Sequence, residues 1–332
     1  MASSHLLRLT SRERHGKDSA AMPSYPSPQE LVASLIKLLT VSSVGENRHV
    51  GSAQKDGFGR MFGGQVLAQA LQAAQAEVTD GKQAHSLHAY FLRGGKEGPP
   101  TNYRVESDFD GRSFANRRVV ASQTGDDGAD VPILNLTASF QSEEAGLEHV
   151  DAPMPDVADP DELTDDMELR RAMADKLGDR LSDANRKIIL RPRPIQMRTV
   201  GKLHWMSRDP QPPRTHTWFR TAAPLPDDPA LHRAILTYAS DFTLLGTSAL
   251  PHGLSWMRGE LVGASLDHAI WFHRPFDEST RVDEWMLYAT DSPWSGSGRG
   301  YNRGRIFNRQ GELIASVAQE GMMRKRARSA KR

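Results

Sequence analysis

The residue types first narrow the chemistry that this chain can carry out. It contains no cysteine, which excludes a thiolate nucleophile, a thiolate zinc site and a disulfide scaffold. No serine sits in a nucleophile elbow, because Gly111-Arg112-Ser113-Phe114-Ala115 and Gly246-Thr247-Ser248-Ala249-Leu250 both lack the closing glycine. The 12 histidines include no His-Glu-x-x-His pair, so the sequence calls for no metal and no other cofactor. Were the reaction a hydrolysis, the route left open would be a water held by side chains, one of which accepts its proton. Composition and spacing do not single out such a base, and two carboxylates, Asp241 and Asp267, can be compared. Asp241 lies between Ala239 and Phe242 in an otherwise apolar helical stretch. An ionised group there is costly unless it is hydrogen-bonded, and its plainer reading is a helix-surface acid or a cap. Asp267, beside His268, is the rival, and spacing alone leaves the choice open.

The composition is that of a water-soluble globular chain. It has 332 residues, 38% of them hydrophobic and 25% charged, enough for one large or two ordinary domains. Lys and Arg number 42 against 41 for Asp and Glu, a formal net of +1, so no global field draws nucleic acid or anionic membrane. No run approaches the ~18 apolar residues of a membrane span. Residues 1–28 read as a disordered or targeting segment. In it Arg8-Leu9 and, further on, His15 resemble an amino-terminal peroxisomal signal, although Gly16 stands where Leu or Ala is expected. A peroxisomal location is therefore the first expectation, with cytoplasm and mitochondrion as alternatives. Residues 324–332 form a basic tail.

Composition shifts once. Ser142 to Asp166 holds ten acids, three prolines and no Lys or Arg, which predicts an extended linker. Leu169, Met173, Leu177 and Leu181 then recur at spacings of four, predicting a helix from about Glu168 to Ile188. This divides the chain into residues 29–141, a linker with a helix at 142–193, and residues 194–323.

The two flanking units repeat one another. His88-Ala89-Tyr90-Phe91-Leu92-Arg93 matches His268-Ala269-Ile270-Trp271-Phe272-His273-Arg274. Each is followed by strand-like runs around a Gly/Arg turn and by a last strand ending in Gln, 53 residues from His88 to Gln141 and 51 from His268 to Gln319. Upstream, each has a helix, beginning at Gly64 in the first copy and spanning Leu231 to Leu250 in the second, with Gln65 aligned to Asp241. One helix followed by alternating strands predicts an α+β unit, an antiparallel sheet wrapped over a helix. Pairing the two sheets edge to edge would protect an open strand of each.

Six ordered segments resemble the acyl-CoA thioesterase II family: Phe62-Gly63-Gly64-Gln65-Val66, His85 to Arg93, Asp110 to Phe114, Thr137 to Gln141, Leu266 to Phe276 and Gln319-Glu320-Gly321. The resemblance covers about residues 30–325 and implies a double hotdog fold that hydrolyses fatty acyl-CoA to free acid and CoA. It also implies a water-holding triad, which falls on Asp241, Ser265 and Gln319. Ser265 departs from the family's usual Thr, keeping the hydroxyl but losing the methyl that restricts its rotamer. In the first copy Gln65 and His85 occupy the aligned positions, so only the second copy's set is expected to be catalytic. Gly63 and Gly64 would let CoA or the acyl chain approach the backbone, tight packing being the plainer reading. Among Arg93, Arg112, Arg299, Arg303 and Arg305, the pair Arg299 and Arg303 is taken for the CoA phosphates. Trp256, Trp271 and Trp294 could line an acyl tunnel, but the core is their expected place. The partner is acyl-CoA, and a homodimer or homotetramer is implied by resemblance only. The rival readings are a hotdog hydratase or dehydratase of acyl-CoA and a non-catalytic acyl-CoA-binding protein.

Overall fold

The structure, a computed structural model, describes residues 25–53, 59–203, 208–256 and 258–326. The targeting expectation on Arg8 to Gly16 and the end of the basic tail lie outside these residues.

The first half runs α1 (Pro28–Leu39), β1 (Val41–Gly45), β2 (Arg48–Gly51), α2 (Gly63–Ala76), β3 (Gln83–Phe91), β4 (Thr101–Asp110), β5 (Phe114–Thr124) and β6 (Asp130–Gln141). Helices α3 (Asp166–Leu177) and α4 (Asp183–Ile189) connect it to β7 (Ile195–Thr199), β8 (Arg214–Thr221) and α5 (Pro229–Ser240). Strands β9 (Leu261–Ser265), β10 (Asp267–Phe272), β11 (Met286–Gly296), β12 (Arg299–Asn308) and β13 (Leu313–Lys325) complete the second half. All strand pairs are antiparallel, in the order β1-β2-β4-β5-β6-β3-β10-β13-β12-β11-β8-β7, with β9 added on β13. The second half reads outward from β10 as the first reads outward from β3, which is the internal repeat in three dimensions. The join is edge to edge, as the repeat predicts, with His88 opposite Ala269 and Ala89 opposite His268.

The joined sheet wraps two helices that pack against each other. Helix α2 is rich in small and aliphatic residues and is buried almost all round, as expected of a helix enclosed by a sheet. Helix α5 is buried from Leu231 to Ser240. Gly64 sits at their contact, where an added Cβ would strike the main-chain carbonyl of Tyr238. The packing reading of this glycine thus holds, between two helices and not between helix and strand.

Five local expectations are corrected. The helix predicted over 168–188 breaks at Gly178, whose φ of 49° ends α3 before a short 3-10 turn and α4. The long second-half helix stops at Ser240, after which Leu245–His252 coils as 3-10 helix. Strand β13 runs past Gln319 to Lys325, whereas β6 ends at Gln141, and the residue opposite His88 is Thr137. Gln141 and Gln319 are therefore not counterparts. The acidic stretch is extended but not free of the core. Met154, Val157 and Leu163 pack on the Trp218 and Trp285 cluster, and Arg309 holds Asp159 and Asp161 at 2.7 Å each. Trp271 and Trp294 are 37% and 45% exposed, so neither is a core residue. Among the described residues no helix is long and apolar enough to cross a membrane.

Replacing Gly64 with Ala forces the two helices apart and should destabilise the fold by about 1–3 kcal/mol. Gly146→Ala, at a position with open space around the new methyl, should stay within ~0.5 kcal/mol of the parent in the same urea titration.

Candidate active site

Asp241 follows α5 directly as its C-cap residue. A carboxylate there meets the negative end of the α5 dipole, and its side chain is only 5% exposed. Two features compensate. The antiparallel packing of the helices brings the amino-terminal end of α2 to the same point, and the Gly64 N–H donates to Asp241 Oδ2 at 2.9 Å. From β13, Gln319 Nε2 donates to Asp241 Oδ1 at 2.7 Å. The Ser265 hydroxyl, at the end of β9, lies 3.5 Å from the same oxygen. Burial raises the Asp241 carboxyl to about 6, against the opposing pull of these donors. A carboxylate so poised is ionised at neutral pH yet basic enough to take a proton.

Gln319 is wholly buried and is held from behind by His268. Its Nε2 lies 3.1 Å from Ser265 Oγ and 3.0 Å from His268 Nδ1. On the far side, His268 Nε2 meets Ser240 Oγ at 2.9 Å, and that hydroxyl donates to the Thr237 carbonyl at 2.8 Å. Because the Ser240 proton is spent on Thr237, His268 carries its own proton on Nε2 and accepts on Nδ1. Burial pushes its imidazole down to about 3, so it is neutral. Oδ1 of Asp241 lies 4.0 Å from His268 Nδ1, so the amide of Gln319, not an ion pair, links them.

Asp241, Ser265 and Gly63 open onto a cavity of about 570 Å³ whose other walls include Phe91, Ile133 and Trp256. An added Cβ on Gly63 would lie 2.7 Å from Asp241 Oδ2, so a side chain there would crowd the carboxylate. The structure brings Asp241, Ser265, Gln319, Gly63 and Gly64 into one cluster. Gln319, however, is not part of the cavity wall; its amide reaches the wall only through Asp241 and Ser265.

Arg299 and Arg303 are not brought to this cavity. On β12 the alternate residues Asn302 and Gly304 face inward, so the arginines face outward, where Arg299 pairs with Glu320 at 3.2 Å and Arg303 with Asp291 at 2.7 Å. Asp267 also points elsewhere, accepting the Glu320 N–H at 2.6 Å. In the first half, Gln65 donates to Ser52 and His85 meets Ser139, two separate contacts that form no second cluster. The cations that do line the cavity are Arg93 and Arg60. Arg60 escaped the sequence reading, although it stands three residues before Gly63.

Two family descriptions match the chain. Residues 53–141 fit the acyl-CoA thioesterase N-terminal domain and residues 160–323 the acyl-CoA thioesterase C-terminal domain. Acyl-CoA thioesterase 2 of Haemophilus influenzae is 35% identical over 295 residues, covering 89% of this chain and 98% of that one. Human acyl-coenzyme A thioesterase 8 is 36% identical over 271 residues, covering 80% and 81%. The crystal structure of an acyl-CoA thioesterase II from Mycobacterium marinum superposes with a TM-score of 0.68 at 37% identity, covering 88% of this chain and 98% of that one. The agreement extends through both halves and the sheet that joins them, and on it the chain belongs to the acyl-CoA thioesterase family of double hotdog proteins.

Proposed function

We propose that the chain hydrolyses fatty acyl-CoA thioesters by direct attack of a water held at Asp241 and Ser265. A thioester carbonyl is electrophilic enough to need only a positioned water, a base and stabilisation of the developing oxyanion. The Asp241 carboxylate accepts a proton as the water oxygen bonds to the carbonyl carbon. The tetrahedral intermediate then expels the CoA thiolate, to which the Asp241 proton returns, leaving the free acid. The Ser265 hydroxyl orients the water, and Gln319 is a positioning residue that fixes Asp241 and Ser265 from behind. The observation that carries this reading is a buried carboxylate, raised to about 6, at the wall of a largely apolar cavity.

A hydratase or dehydratase would need Asp241 and His268 to face one substrate. His268 is 1% exposed, has both ring nitrogens engaged and is absent from the cavity wall, so the geometry favours hydrolysis.

Thiol release measured across short to long acyl-CoAs should fall about 10²–10⁴-fold in Asp241→Asn. Wild-type turnover in that variant, or hydration of an enoyl-CoA in place of thiol release, would overturn the assignment. In the parent, kcat/KM should drop with falling pH below an apparent pKa of about 6, as the base becomes protonated, and the acid limb should vanish in Asp241→Asn.

Ser265→Ala should lower kcat about tenfold, the scale of one lost hydrogen bond to the water, while Ser265→Thr restores or exceeds the parent rate. Nitrogen-15 spectra should show His268 as the neutral Nε2–H tautomer from pH 5 to 8.

A further inference from the structure

A second cavity, of about 370 Å³, adjoins the first and shares Phe242 and Thr243 with it. Its character is opposite. Arg170, Arg193, Lys202 and Arg214 line it with a single carboxylate, Asp166. That carboxylate is already engaged by the Thr199 N–H and hydroxyl, both at 2.9 Å. Among the described residues no hydrogen bond or ion pair holds the Arg193 guanidinium or the Lys202 ammonium. Arg193 and Arg170 also act on each other: burial, with the Arg193 charge beside it, pushes Arg170 down to about 10. Burial depresses Arg193 as well, with the Asp166 charge opposing. Four cationic side chains lining a concave site with one carboxylate are costly in the folded protein alone and become favourable when a multiply charged anion enters.

Acyl-CoA carries its anionic groups, a pyrophosphate and a 3′-phosphate, at the end of the flexible pantetheine arm remote from the thioester. We propose that the cavity of Arg170, Arg193, Lys202 and Arg214 receives the nucleotide phosphates of CoA, with the pantetheine arm passing Phe242 and Thr243, which line both cavities, to the thioester beside Asp241. The inference rests on the hydrolase reading above and moves phosphate recognition from Arg299 and Arg303 to residues of α3, β8 and the segments flanking β7. Guanidinium groups suit it, since each offers paired donors to phosphate oxygens.

The test compares an acyl-CoA with the same acyl group on N-acetylcysteamine, which has a thioester but no phosphate. In Arg193→Gln, and in the double variant Lys202→Ala/Arg214→Ala, whose side chains are exposed and so tolerate truncation, the ratio of kcat/KM for the CoA thioester to that for the truncated one should fall about tenfold or more. An unchanged ratio in both variants would overturn the proposal. So would a fall seen instead in Arg60→Ala/Arg93→Ala at the mouth of the first cavity. Calorimetric titration of 3′,5′-ADP keeps the two readings separate. If neither thioester is cleaved, the hydrolase reading fails, yet nucleotide binding by the parent that is lost in Arg193→Gln still supports the cavity. Equal binding by parent and variant, or binding of inorganic phosphate without binding of 3′,5′-ADP, would reject it.

Discussion

The arrangement depends on keeping one carboxylate charged inside the protein. Asp241 ends a buried helix, faces that helix's negative pole and is nearly sealed from water. Left alone it would take up a proton or unfold its surroundings. It is held by a main-chain N–H at the start of α2, a carboxamide from β13 and a hydroxyl from β9. The balance between desolvation, which favours the acid, and these donors, which favour the anion, leaves a group poised near neutrality.

That balance requires both halves of the chain. The edge-to-edge pairing of β3 with β10 places two helices antiparallel under one sheet, so the positive end of α2 meets the negative end of α5. The side chains of the cluster come from the second half, but the Gly63-Gly64 backbone comes from the first. The cluster thus spans the pseudo-symmetric join, and Gly64 serves it twice, by letting the helices touch and by offering its N–H.

Behind the carboxylate runs a chain of directed hydrogen bonds from Thr237 through Ser240 and His268 to Gln319. A neutral His268 with its proton on Nε2 turns an acceptor toward Gln319, and so fixes which end of that amide faces Asp241. The histidines that mark the repeat thus differ in task. His268 orders the polar cluster, while His88 lies on the outer surface with its ring edge-on to Trp271, centroids 5.0 Å apart.

The duplicated α+β plan and the edge-to-edge join were legible in one dimension, because repeated segments and strand alternation are local patterns, whereas Asp241, Ser265 and Gln319 were picked out by the family resemblance. The sequence left Asp241 open between a buried acid and a helix cap, and the structure makes it both. Only the tertiary structure decided that α5 stops at Ser240, that Gln319 lies mid-strand behind the wall, and that Arg299 and Arg303 face outward onto acids of their own. The Gln65 to Asp241 and Gln141 to Gln319 alignments failed for one reason: residue counts fix distance along the chain, not which end of a packed helix or which point of a strand register meets a neighbour. The α2 backbone's part in the site was hidden more deeply still, since a main-chain N–H has no side-chain identity, and its role arises only when another segment brings a carboxylate to it.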